Sequence, residues 1–112
     1  MHSKAALAAL TDIVENIRLA QSFITGLDLD SFTADRRTVY AVTRCLEIIS
    51  EASRRLPEEI KARHPQIPWL DIAGAGNIYR HDYEDVLVEI VWRTTGKPLE
   101  LLLSAVEDEL RR

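Results

Sequence analysis

Apolar residues recur every three or four positions along most of the chain, and nothing alternates with period two over a useful length. That periodicity predicts amphipathic helices and no sheet. Leu7, Leu10, Val14, Ile17 and Ile24, with Gln21 as one polar member, give a first helix ending near Gly26. Leu27-Asp28-Leu29-Asp30 is a short connection, and Ser31 or Thr33 can cap the next helix. Val39, Val42, Leu46, Ile49, Ala52, Ser53 and Leu56 form the stripe of this long second helix. Pro57-Glu58-Glu59-Ile60-Lys61 suits the first turn of a continuing or restarted helix.

His64-Pro65-Gln66-Ile67-Pro68 then breaks the pattern, because two prolines this close cannot sit inside a regular helix. A third helix is expected from Trp69 to about His81. Its interior, Ile72-Ala73-Gly74-Ala75-Gly76, holds two glycines, each costing about 1 kcal/mol against Ala in a helix. Such residues imply close approach of another helix or of a ligand. Asp82 can cap a fourth helix with Val86, Leu87, Ile90 and Val91 inward. Pro98 starts a fifth, with Leu99, Leu102, Leu103, Val106 and Leu110 inward. The expected fold is all-α: an antiparallel, up-and-down bundle of four to five helices.

The 112 residues suit a single domain, 1–112, able to bury a core without disulfide or metal. Aromatics make up only 6%, so that core is mostly aliphatic, with Trp69 and Trp92 as anchors. Cys45 stands alone on the apolar side of the second helix, which reads as a buried thiol and gives no reason to expect an oxidising compartment. No run approaches the roughly 20 apolar residues of a membrane span. The N-terminus lacks the pattern of a cleaved leader, so the expected location is the cytoplasm.

Net charge is -4, so nucleic acid could be held only by a local site. Arg36, Arg37, Arg44, Arg54, Arg55, Lys61, Arg63 and His64 make the middle of the chain basic, though such a run reads most simply as a solvated helix face.

The polar cluster runs from Gly76 to Asp85. Asn77 is a helical neighbour of both Arg80 and His81. His81 falls at a helix C-terminus, where the dipole favours the imidazolium. A His titrating near neutrality beside an Arg suits phosphodiester chemistry, the His moving protons and the Arg holding phosphate charge. The same residues also fit a plain helix cap beside a surface charge. His81-Asp82 is similar to a metal-binding HD pair, but that site needs further ligands and only His2 and His64 remain. No metal or cofactor is expected.

Residues 71–83, DIAGAGNIYRHDY, resemble the motif region of the HepT-like toxins of the minimal-nucleotidyltransferase/HEPN pairs. Leu46-Glu47-Ile48-Ile49-Ser50-Glu51-Ala52 is similar to that family's LExIGEA stretch, with Ser50 where Gly is usual. His64-Pro65, Ile67-Pro68-Trp69, Asn77, His81-x-Tyr83 and Trp92 follow in register. The resemblance implies a HEPN fold and a metal-independent endoribonuclease that acts on RNA as a homodimer. It places the acid/base role on His81 and a supporting polar role on Asn77. It makes Tyr83 the residue to which a nucleotidyltransferase antitoxin can attach AMP. The family Arg would stand at position 76, which here is Gly76. Either Arg80 takes over the phosphate, or the chain is a weakened module that binds its partner or RNA without cleaving. A purely structural helical dimer is the third reading.

Overall fold

The computed structural model describes residues 2–81 and 85–112, with side chains for all of these except 81, 85 and 86. Among them are seven helices and no strand: α1 (Lys4–Phe23), α2 (Leu29–Ala34), α3 (Arg36–Arg54), α4 (Glu58–Ala62), α5 (Trp69–His81), α6 (Asp85–Thr94) and α7 (Lys97–Leu110). The five longer helices are those the periodicity predicts. α2 and α4 are short helices within the two connections. The result is a HEPN-like antiparallel helical bundle.

α3 is the central element, packed against both α1 and α5, while α7 closes the other side of α1. Its predicted stripe is buried throughout, from Val39 and Val42 to Ala52 and Leu56. In α1 the inward face is rotated from the expected one. Ala6, Leu10, Ile13, Ile17 and Ala20 are buried, whereas Leu7 is exposed. The alanines explain the rotation: small residues let α1 lie close to α3, so the larger Leu7 is not needed inside. Leu110 is likewise exposed at the end of α7, where buried Glu109 takes the inward position.

Ser3 caps α1, and the caps of α2 and α3 are aspartates. Asp28 accepts from the Ser31 N–H at 2.8 Å while Ser31 Oγ accepts from the Asp28 N–H at 2.9 Å, a reciprocal box starting α2. Asp35 closes α2 and accepts from the Thr38 N–H and hydroxyl to begin α3. Both carboxyls are held below the ordinary carboxylate range by these bonds. Ser31 thus serves the box from inside the helix, and Thr33 hydrogen-bonds within it at Leu29 O. Gly26, at φ +81°, makes the turn after α1 that an L-residue would resist.

The proline segment is stapled by Trp69, whose indole N–H reaches both Lys61 O and His64 O, at 3.1 and 3.0 Å. Trp92 anchors α6 against Phe32, ring centroids 5.1 Å apart. Both indoles pack on the core as expected, half-buried. Cys45 is buried, and burial pushes its thiol up from the ordinary value, as suits a structural residue and not a nucleophile. No helix among the described residues is long and apolar enough to cross a membrane. The expected cap at Asp82 and the inward Val86 side chain lie outside the described residues.

Candidate active site

The α3–α5 contact sets the geometry. Ser50 donates its hydroxyl to Ala73 O at 3.0 Å and accepts the Gly76 N–H at 3.1 Å. One turn along α3, Arg54 gives two further bonds to the same carbonyl, from Nε at 3.0 Å and Nη2 at 2.7 Å. Two side chains of α3 therefore grip the backbone of α5 directly. That approach is possible because Gly76 has no side chain. A Cβ there would stand 2.8 Å from Ser50 Oγ and 3.3 Å from Ser50 Cβ. Gly76 is buried and answers to this contact within the chain. Gly74 differs: it is exposed, with nothing within 4 Å of where its Cβ would be.

Asn77 and Arg80 lie on the exposed side of the same helix. Arg80 folds back along α5 to give Nη2 to Asn77 Oδ1 at 2.7 Å. Its Nη1 lies 3.5 Å from the point where a Cβ on Gly76 would stand. The Arg80 guanidinium thus lies beside Gly76 and is held by Asn77. His81 is the last described residue of α5. Its side chain, together with Asp82, Tyr83 and Glu84, lies outside the described residues.

Arg80 also lines a cavity of about 770 Å³ between α3, α5 and α6. Arg36, Tyr40, Thr43 and Glu47 present the α3 wall, and Leu87 and Val88 the α6 wall. Tyr79 is buried beside Arg80, and burial pushes its phenol up from the ordinary value.

The rest of the basic run is largely paired. Arg55 meets Asp12 at 2.9 Å, Arg44 meets Glu47 at 3.7 Å, and Lys61 meets Glu58 at 3.6 Å. Arg63 and His64 turn inward to Glu109, a carboxylate with no exposed surface. Arg63 binds it with two parallel bonds of 2.8 Å, and His2 Nε2 reaches it at 2.9 Å. The middle of the chain is a laced helix surface and not a continuous cationic patch. Among the described residues no group of three or more His, Cys, Asp or Glu is arranged to hold a metal.

Sequence periodicity did not reveal the roles of Ser50, Arg54 and Glu109. Ser50 had one visible sign, its departure from the LExIGEA pattern. Glu109 had none, since a Glu in a terminal helix is ordinarily solvated.

Among the described residues, these side chains build a helical bundle with a polar Asn-x-x-Arg-His run on one helix. The family described as ribonuclease HepT-like matches residues 13–109, and the chain belongs to it. It is 37% identical over 98 residues to a protein of Thermococcus cleftensis named "probable ribonuclease HepT", covering 88% of this chain and 89% of that one. A "putative RNase" of Methanocaldococcus jannaschii is 37% identical over 82% of this chain and 76% of its own. Another, of Caldanaerobacter subterraneus, is 31% identical over 92% of each. No solved structure matches the chain.

Proposed function

We propose that this chain, as a single domain over residues 1–112, is the HEPN toxin component of a bacterial toxin–antitoxin pair. It acts in the cytoplasm as an endoribonuclease, without a metal or cofactor. His81 is its acid/base group, exchanging a proton with the attacking or leaving oxygen of the phosphodiester. Arg80 replaces the family Arg absent at Gly76 and holds the phosphate charge through charge-assisted bonds. Asn77 orients the Arg80 guanidinium.

The observation that carries this reading is the place of Arg80. Its guanidinium bends back to Asn77 and stands beside Gly76. Ser50 occupies the side of Gly76 where a side chain would begin, and the Arg80 cation reaches the edge of the same position from the next turn.

The active form is a homodimer that brings two such corners together. The exposed face of α5 supports this: Leu70 is 89% and Ile78 49% exposed, with open Gly74 between them. The partner is a minimal nucleotidyltransferase that neutralises the toxin, with Tyr83 as the residue that receives AMP. Expression of the chain alone tests the reading. Growth arrest with fragmented RNA is expected, and His81→Ala should abolish both while the protein still folds. Unimpaired growth with intact RNA would favour the second reading, a weakened module that binds its partner or RNA without cleaving. The observation on its side is that Ser50 fills the space an arginine at position 76 would need.

A further inference from the structure

The cavity beside Arg80 carries features that cleavage by His81 and Arg80 leaves unused. Arg36, Tyr40, Thr43 and Glu47 fall on one face of α3, spaced four, three and four apart. Tyr40 is 60% exposed, so core packing does not account for its ring. Yet the ring is held in place: Arg36 donates Nη2 to the Tyr40 hydroxyl at 2.8 Å, and its guanidinium carbon lies 5.7 Å from the ring centroid. An aromatic face kept open to water and pre-oriented by a cation matches the stacking platforms that seat unpaired bases. Val39, Leu87 and Val88 supply apolar walls, and two guanidiniums, from Arg36 on α3 and Arg80 on α5, border the same space. Its volume of about 770 Å³ falls in the range of small-ligand sites, roughly 300–1,000 Å³.

We infer that this groove seats one nucleotide of single-stranded RNA next to the scissile phosphate, with its base on Tyr40 and its own phosphate on Arg36. The inference rests on the ribonuclease reading and extends it to substrate binding. Glu47 borders the groove three turns further along α3, where it pairs with Arg44 at 3.7 Å. A carboxylate there repels the backbone, so the phosphate belongs at the Arg36 end. The groove also explains how a chain of net charge -4 could hold RNA: most of its affinity would come from stacking and from a few placed cations.

The test is binding of a short, fluorescein-labelled single-stranded RNA to the His81→Ala chain, followed by anisotropy over a range of salt. Tyr40→Ala should weaken binding about tenfold, the scale of one lost base stack. Tyr40→Phe keeps the ring and should stay within about twofold of the parent. Arg36→Ala should weaken binding and reduce the dependence of log affinity on log salt by about 0.7, one phosphate contact. Both residues are exposed, and unchanged melting curves would confirm that the variants fold. RNA binding by the parent that neither Tyr40→Ala nor Arg36→Ala alters would overturn the groove assignment and leave the nuclease reading standing. Equal loss in Tyr40→Ala and Tyr40→Phe would also overturn it, because stacking would not be the basis. No RNA binding by the parent, with no cleavage by the unmodified chain, would remove both.

Discussion

Ser50 Oγ lies 2.8 Å from the place a Cβ on Gly76 would occupy, and it accepts the Gly76 N–H at 3.1 Å. They are also two positions at which the sequence differs from the stretches it resembles, with Ser where Gly, and Gly where Arg, was expected. The two positions are in direct contact. Gly76→Ala would ordinarily favour a helix by about 1 kcal/mol. Here the added methyl must displace Ser50, which loses its bonds to Ala73 O and the Gly76 N–H, about 1 kcal/mol each. Gly76→Ala should therefore be net destabilising by about 1 kcal/mol in denaturant titration. In a Ser50→Gly background the same substitution should be neutral or stabilising, a coupling of about 1–2 kcal/mol. Additive effects would show that the contact is not restrictive.

Gly76→Arg rebuilds the family spacing but, by the same contact, crowds Ser50 and the Arg80 guanidinium 3.5 Å away. Alone it should fail to raise RNA cleavage and should lower the melting temperature. Ser50→Gly with Gly76→Arg should fold as well as the parent. Enhanced cleavage from Gly76→Arg alone would contradict the role given to Arg80.

Glu109 is buried against Arg63, His64 and His2, and the paired bonds from Arg63 are the main reason its carboxyl is held far below the ordinary carboxylate range. A carboxyl depressed on folding stabilises the native state in full above the ordinary range. That contribution is lost as pH falls through this range toward the depressed value. Stability should thus decline below about pH 5. Glu109→Gln should cost about 2 kcal/mol at neutral pH, less than for a fully buried pair because Arg63 is one-third exposed and can turn to water. It should also flatten the acid decline. Thermal melts at neutral and acidic pH check both, and an equally steep decline in the variant would refute the assignment.

Leu70 is 89% exposed one turn before open Gly74 on α5. Burial of such a leucine contributes about 2 kcal/mol per copy. Leu70→Lys should accordingly turn a dimer into a monomer by light scattering without altering helix content. A monomeric parent at micromolar concentration would dismiss the dimer itself.

Much of this was legible in the sequence because helix periodicity is local. The stripe from Val39 to Leu56 and the span from Trp69 to His81 needed no partner to be read. The phase of α1 was not legible, since Ala6, Ala9 and Ala20 mark a close helix contact only once α3 is in place. Aspartate caps displaced the expected hydroxyl caps because Asp28 and Asp35 stand immediately before the first helical turns. Of the site, the helical neighbourhood of Asn77 and Arg80 was visible from spacing. The reason for Gly76 was not, since it lies on α3, twenty-six residues away. Tyr83 lies outside the described residues.

The central claim is that Arg80 does the work of the missing arginine. The most direct measurement is the rate of cleavage of a defined single-stranded RNA at saturating substrate, with chelator present, by the purified chain and by Arg80→Ala, Arg80→Lys and His81→Ala. An Arg–phosphate contact is bidentate, and lysine replaces it poorly. Cleavage by the parent is expected, with a loss of about a hundredfold or more in Arg80→Ala and His81→Ala and only slight recovery in Arg80→Lys. Undiminished cleavage by Arg80→Ala would contradict the claim.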